Sequence, residues 1–501
     1  MNTHRIRTFS TYVIVVTAVI GSAAALGCDI FGPGAGIHVV SGANVSDTVL
    51  STFTPPLTVQ LLGHGGNPLS GQTVYFNTNG IVLVAALDDP GFAINRLPVI
   101  TNGNGEASVF VEAKQYAGTG KVVVVPPSGE SVSLYFKVLP GAPARVRVDP
   151  IDTGLYVGGL EVFRPFITDA YGNRVAVSPA PTYQYQSLSG ALSITGAGKA
   201  MGVAIGHGSV SVSGMGFTDT VWASVVPKGR IAINEAYIVA TNLDGSAFDS
   251  IPSPSFGRTL DWSQVTGTFV YDGAAGLTLM DTTGHAHVAI TNPLMRSEYY
   301  PRYAHDGSNI YFSGIDSLTG CWGIWRVHLD GTALEHVVAD TVSCGPYAYT
   351  SGPAPYWGSS PSPDGTRVVY VGERNIPYIG GILRVRTVAT GADTSLGVAG
   401  AFPRWSPTGE WIAYDSLGNL MLIHPDGTGH QVLLDRRDGR TRGSSWSPDG
   451  EWLLYAGYPY YGCPDRTTCF TGLKIVHVGT GLTLHLPYTA TGFLSDGTWL
   501  R

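Results

Sequence analysis

Charge is scarce in this chain. Of 501 residues only 29 are Lys or Arg and 36 are Asp or Glu, together 13%. The net charge is −7, and the one Arg-rich stretch, residues 435–442, is interleaved with acids. Without a basic stripe the chain lacks the electrostatic footprint of a nucleic-acid-binding protein, so no nucleic-acid partner is expected. Helical periodicity is also missing: beyond the N-terminus no stretch sustains a 3.6-residue apolar period built from good helix formers. Local catalytic signatures are absent as well, with no Gly-x-Ser-x-Gly, no His-Glu-x-x-His and no phosphate loop. Cysteine is rare, five in all, and never spaced Cys-x-x-Cys, which disfavours a zinc site.

What is abundant points one way. Gly (66) and Pro (32) accompany many Thr, Ser, Val and Tyr residues, the composition of short strands joined by tight turns. An all-β chain of this length is expected to fold as two to four domains.

The first 28 residues read as an export signal. His4, Arg5 and Arg7 precede an apolar run, residues 12–26, too short for a comfortable membrane span. It ends at Ala25-Leu26-Gly27-Cys28, which resembles the lipobox of bacterial lipoproteins, although Leu stands two rather than three positions before the Cys. The resemblance implies diacylation of Cys28, attachment to a membrane through lipid, and a cell-envelope location. Cleavage after Ala23-Ala24-Ala25 and an uncleaved anchor are the alternatives. Setting Cys28 aside leaves Cys321, Cys344, Cys463 and Cys469, an even number, which in an exported chain favours disulfides.

Residues 36–140 alternate apolar and polar positions in short runs, such as Leu57–Leu62 and Thr73–Phe76, separated by Gly/Asn/Pro turns; this spacing indicates a β-sandwich. Gly66–Phe76, Thr101–Val109 and Gly118–Val125 resemble, in order, the motifs of bacterial immunoglobulin-like domains of the invasin type. The resemblance implies a spacer or adhesion module with no catalytic residues. After a hinge-like Gly141–Ala144, residues 144–228 repeat the style, with Phe166–Arg174 carrying the same Asp-x-x-Gly-Asn turn, and a second immunoglobulin-like sandwich is expected.

An internal repeat occupies residues 231–501. Its first element pairs an aromatic or Ser-Pro segment with a Gly turn and an apolar strand: Trp262–Tyr271, Tyr303–Phe312, Ser362–Tyr370, Trp405–Tyr414, Trp446–Tyr455 and a truncated Phe493–Leu500. Its second is a hairpin turning at Asp244-Gly245, Thr283-Gly284, Asp330-Gly331, Thr390-Gly391, Asp426-Gly427 and Thr480-Gly481. The two alternate six times, so two hairpins per unit predict a six-bladed β-propeller, closed by pairing the entering second element (Ala236–Ile251) with the final first element. Trp446-Ser-Pro-Asp-Gly followed by a strand ending in Tyr455 resembles the WD40-like repeats of TolB-type propellers. The N-terminal domain of TolB is absent, so its partnerships are not implied. The Asp-Gly pairs read as turn chemistry, not metal sites.

The Gly turns are minimal and fall at one end of the blades. Residues 314–321, 340–357, 372–381, 437–443 and 456–471 are longer and fall at the other. They carry Tyr347, Tyr349, Tyr356, Trp357, Tyr378, Tyr458, Tyr460 and Tyr461, an expected binding face, since long connections on a rigid scaffold commonly hold function. Cys463–Cys469 and Cys321–Cys344 bridges would stiffen it. His285 and His287 stand two apart and read as an exposed strand pair. No catalytic residue, metal or cofactor is expected. The reading is a monomeric envelope lipoprotein with sandwiches as stalk and propeller as a head for a protein or glycan ligand. A propeller carbohydrate-active enzyme with an axial site, or a structural envelope component, are the alternatives.

Overall fold

The computed structural model describes residues 35–149, 152–234, 238–252, 259–273, 276–284, 287–290, 294–339, 358–376, 380–435, 444–457, 472–487 and 496–500. Every regular element among them is a strand. Two compact bodies emerge: one holds the described residues up to Pro143 with Thr168–Val175, the other Ala144–Ile167 with the chain from Ala176 onward.

The first body is two five-stranded sheets. One runs in the order Gly36–Ser41, Thr52–Leu62, Glu106–Ala113, Val82–Ala86, Asp89–Ile94; the other Ser46–Thr48, Val132–Leu139, Gly118–Val125, Thr73–Thr78, Arg96–Ile100. Period-2 alternation decides which side chains enter the core. Along Glu106–Ala113 the buried residues are Ala107, Val109, Val111 and Ala113. They join Phe53, Phe76 and Phe136 in one cluster drawn from both sheets, with Phe53 edge-on to Phe136 at 5.2 Å.

Residues 168–175, which the sequence assigns to the second sandwich, group with this first body. The buried Asp169 is the reason. Its carboxylate accepts the backbone N–H of Gly141 at 2.8 Å and of Tyr171 and Asn173 at 2.9 Å, and the Asn173 amide at 2.8 Å. Asn173 in turn accepts the Ala117 N–H and donates to the Gln115 carbonyl, both at 2.8 Å. Burial works against ionisation of Asp169, but these donors together hold its carboxyl below the ordinary range.

The second body begins with three small sheets spanning residues 145–226 around their own core of Val148, Phe163, Leu192, Val210, Val212 and Val221. Six four-stranded antiparallel groups follow. The second to sixth begin with Leu260–Ser263, Met295–Tyr303, Ser359–Pro361, the end of Asp393–Trp405, and Ser444–Trp446. Asp393–Trp405 belongs to two groups: residues 393–400 end the fourth and residues 401–405 open the fifth, which fuses them into a seven-stranded sheet.

The first group differs from the sequence expectation. It contains Arg230–Asn234, Ile238–Asn242 and Asp249–Ile251 from one end of the region and Asp496–Trp499 from the other. Three strands and one strand meet, not two hairpins. Asp496-Gly497 imitates a turn in sequence, yet both residues lie in a strand opposite Asn234 and Ile233. The turn that should follow Trp499 is supplied by the segment before Arg230, as the Leu500 N–H to Arg230 carbonyl bond (2.7 Å) shows. It matches Ser447 to Trp452 and Ser406 to Trp411, both 2.8 Å, in other groups.

Opening strands touch one another in cyclic order, the sixth reaching Asp496–Trp499 and that strand reaching Leu260–Ser263. The apolar clusters follow the same circuit. In each second strand successive residues serve different neighbours: Phe269 and Tyr271 pack toward the first group, Val270 toward the third; Ile412 and Tyr414 toward the fourth, Ala413 toward the sixth. The circuit closes where Trp452, Leu454 and Ile475 of the sixth group pack on Ile231, Ile233 and Trp499 of the first. The Trp499 Nε1–H donates to the Ser445 carbonyl at 2.9 Å, just as Trp446 Nε1–H donates to the Arg404 carbonyl at 3.0 Å.

The three small sheets of residues 145–226 pack against this closing group. Val226 and Tyr156 share its cluster, and the Tyr156 hydroxyl donates to the Gly229 carbonyl at 3.1 Å. Gly154 lies so close that a Cβ there would stand 2.8 Å from Asp244 Cα and 2.9 Å from Pro487 Cγ.

Candidate functional site

The two ends of the six-group region are built differently. At one end lie the hairpin turns, with Gly245, Gly284, Gly307, Gly331, Gly365, Gly391, Gly409, Gly427, Gly450 and Gly481 all at positive φ. The turn aspartates are occupied with backbone. The N–H of Ser246, Ser308, Thr332, Thr366, Thr428 and Glu451 donates to the aspartate two residues before it, at 2.9–3.0 Å. The hydroxyl and N–H of Thr332 and Thr428 hold Asp330 and Asp426 below the usual carboxylate range. These carboxylates are turn anchors.

At the other end several connections are longer in sequence, while Ser416 and Asn419 pair across the tight Leu417-Gly418 turn and Asp393–Trp405 runs unbroken from one group into the next. Among the described residues, the next strand after Ala339 begins at Ser359, after Leu434 at Ser444, and after Gly457 at Gly472. Two of the expected long connections are shorter than the sequence suggested. Asn309–Asp316 and Trp322–His328 stay paired through Ile315 opposite Trp322, leaving residues 317–321, where the Asp316 carboxylate accepts the N–H of Leu318 and Thr319. Arg367–Ile376 and Gly380–Thr387 likewise pair to their ends, leaving residues 377–379. Continued main-chain pairing extends these strands past the point where apolar patterning stops.

Of the residues singled out in the sequence, Cys321 lies at this longer-connected end, immediately before Trp322. Cys28, Cys344, Cys463, Cys469, Tyr347, Tyr349, Tyr356, Trp357, Tyr378, Tyr458, Tyr460, Tyr461 and His285 lie outside the described residues. His287 opens the strand His287–Ile290.

A set of residues that sequence reasoning missed gathers on the opening strands. Three positions before the repeat aromatic or its equivalent, three consecutive groups hold positive φ: Tyr300 (55°), Gly358 (91°) and Phe402 (51°). This is the left-handed region, which glycine enters freely and side chains rarely adopt. The rings of Tyr300 and Phe402, two groups apart, meet edge to face at 5.8 Å. Gly358 belongs to the group between them, and a Cβ there would lie 3.6 Å from Phe402 Cα. Tyr299 stacks on the buried Trp322 at 5.9 Å. Tyr299, Tyr300 and Phe402 are half-buried.

Two residues before Tyr300 stands Glu298. Its carboxylate reaches the preceding group and accepts the Leu277 N–H at 3.0 Å. It occupies the place where residue 276 would carry a side chain, for a Cβ on Gly276 would lie 2.3 Å from Glu298 Oε2. Burial pushes this carboxyl up to about 7, while the Leu277 N–H pulls the other way. A carboxyl displaced in this manner, beside half-buried aromatics, is the kind of group that functional sites contain.

Below these aromatics the opening strands are stitched to one another. The Tyr303 N–H donates to Asp261 Oδ2 (2.9 Å) and the Trp405 N–H to Ser360 Oγ (3.0 Å). The buried Arg404 donates through Nε to the Ser444 carbonyl at 3.0 Å. Edge N–H and C=O groups that would otherwise be open are thereby engaged.

No family model matches the chain. An uncharacterized protein of Agrobacterium fabrum is 30% identical over 122 residues, 24% of this chain; the chain spans 36% of that relative's length. Among solved structures, similarity extends to a TolB-assigned protein from Agrobacterium tumefaciens (16% identity, 54% of this chain and 93% of that one, TM-score 0.42). It extends also to a nidogen/laminin complex (10%, 55% and 98%, TM-score 0.41) and an oligogalacturonate lyase from Vibrio parahaemolyticus (13%, 51% and 72%, TM-score 0.37).

Proposed function

We propose that residues 231–501 form a six-bladed, TolB-like β-propeller. It serves as the recognition head of an exported envelope protein anchored through lipid on Cys28. Two immunoglobulin-like sandwiches precede it, the second fixed to the head and the first acting as the spacer. The head binds an envelope protein or glycan at the end bearing the longer connections. Tyr347, Tyr349, Tyr356, Trp357, Tyr378, Tyr458, Tyr460 and Tyr461 supply contact area there, and Cys321–Cys344 and Cys463–Cys469 bridges stiffen it.

The observation that carries this reading is the asymmetry between the ends of the ring. One end consists of minimal turns whose carboxylates are consumed by backbone. The other gathers the longer connections together with Glu298, Tyr299, Tyr300 and Phe402. Rigid scaffolds place function on such ends. The test is a pull-down from solubilised envelope with the chain from Asp29 onward, beside a Tyr458→Ala/Tyr460→Ala/Tyr461→Ala variant. Retention of a partner by the first and not the second supports the reading; equal retention overturns it. Glu298 favours a second reading, a carbohydrate-active enzyme with an axial acid. Turnover of a glycan that Glu298→Gln abolishes would move that reading to first place.

A further inference from the structure

We infer that the Tyr300–Phe402 pair is a stacking subsite for a neutral saccharide, with Glu298 contributing a hydrogen-bonding carboxyl two residues up the same strand. The inference rests on the proposed binding end and deepens it by naming the ligand class.

The backbone gives the first reason. Tyr300, Gly358 and Phe402 occupy one repeat position in three consecutive groups, all at positive φ. Glycine fills the middle one without strain. Aromatic residues at the flanking two are strained, since a Cβ in the left-handed region crowds its own backbone. Both residues are half-buried, and neither is a member of the apolar clusters of the described residues. Two aromatics held where glycine would be easier, with their rings meeting past a residue that has no side chain, form a presented surface.

Chemistry gives the second. Aromatic rings offer flat apolar faces that complement the C–H faces of a pyranose. A carboxyl lifted toward neutrality by burial both donates and accepts, which suits sugar hydroxyls. A peptide adding itself as a strand is disfavoured, because the Tyr303 and Trp405 N–H groups on these inner edges are already taken by Asp261 and Ser360.

The experiment titrates the chain from Asp29 onward with cellotetraose, the tetramer of N-acetylglucosamine, and mannotetraose by calorimetry, beside Tyr300→Gly and Phe402→Gly. At least one tetrasaccharide is expected to bind at about millimolar Kd or tighter. Each glycine variant should weaken it by about tenfold or more while Tm holds or rises. No binding by the wild type, or undiminished binding by the variants, would overturn the inference. Should the glycine variants fail to fold, Tyr300→Leu and Phe402→Leu keep apolar bulk without the flat face; lost binding supports the subsite and retained binding refutes it. Glu298→Gln should flatten the pH dependence of binding between pH 6 and 8; an unchanged profile removes Glu298 from the site. Envelope pull-down with the same variants separates the two readings. A partner retained without any saccharide binding overturns this subsite and leaves the wider binding role standing.

Discussion

The first body and the ring bury their strands in different ways. In the first body a strand such as Val132–Leu139 has one buried face: Leu134, Phe136 and Val138 point in, and Tyr135 is 50% exposed. In the ring a second strand such as Asn309–Asp316 is buried on both faces, each against a different neighbouring group. A change in the first body disturbs one core. A change in a ring strand can disturb the interfaces on either side of it.

The largest effect should follow from deleting a ring side chain. Phe312→Ala is expected to cost about 3–5 kcal/mol, read as a lowered urea midpoint, whereas Tyr135→Ala should stay within about 0.5 kcal/mol. Similar losses from the two would erase the contrast. Next, Asp169→Ala leaves several backbone donors of the first body without their acceptor and should cost about 2–3 kcal/mol. Scanning calorimetry should show the loss in the transition of the first body, with the ring transition unmoved. A shift of both would mean that residues 168–175 report on the whole chain.

Two smaller predictions concern pH and belong to the ring. The folded Glu298 carboxyl titrates near 7, above the ordinary 4.5, so the fold binds its proton more tightly than the unfolded chain does. Stability contributed by the protonated form is therefore lost as pH rises from about 4.5 through 7. Glu298→Gln should raise Tm relative to wild type at pH 8, by the equivalent of about 2 kcal/mol, and not at pH 4. His485 shifts the other way: burial first, then the charges of Lys474 and His207, push it down to about 4. Below pH 6.5 the unfolded chain takes up a proton that the fold refuses, so stability falls as pH drops from 6.5 toward 4. His485→Gln should blunt that loss by about 1 kcal/mol, a figure discounted for solvent screening. Tm measured at pH 4.5 and 7.5 checks it.

Local chemistry was legible in the sequence. Asp-Gly turns, alternating strands and the recurring aromatic announce themselves within ten residues, and the strands and turns follow them. The closure was legible but the register of the closing strand was not, because Asp496-Gly497 carries a turn signal that pairing with Ile233 and Asn234 overrides. Nor was the placement of residues 168–175, since beside its local acceptor bonds Asp169 also takes the Gly141 N–H, 28 residues away in sequence. The aromatic pair was hidden for a similar reason. Nothing in the run Glu298-Tyr299-Tyr300 reveals a positive φ, and only folding brings Phe402 to Tyr300. One signal was available: Tyr300, Gly358 and Phe402 share a repeat position, and a glycine aligned with two aromatics invites the question of what backbone that position demands.

The closure at Trp499 sets an order of events. Arg230–Asn234 acquires its last partner from the far end of the region, so its inner edge stays open until the final strand has been delivered. During synthesis, five groups can be in place while the first still presents unpaired main chain. Docking a strand from so far along the chain is also slow, because its loop-closure entropy must be met in a single step. That interval is when the chain is most open to mispairing with another copy of itself, and a holding factor would matter most then.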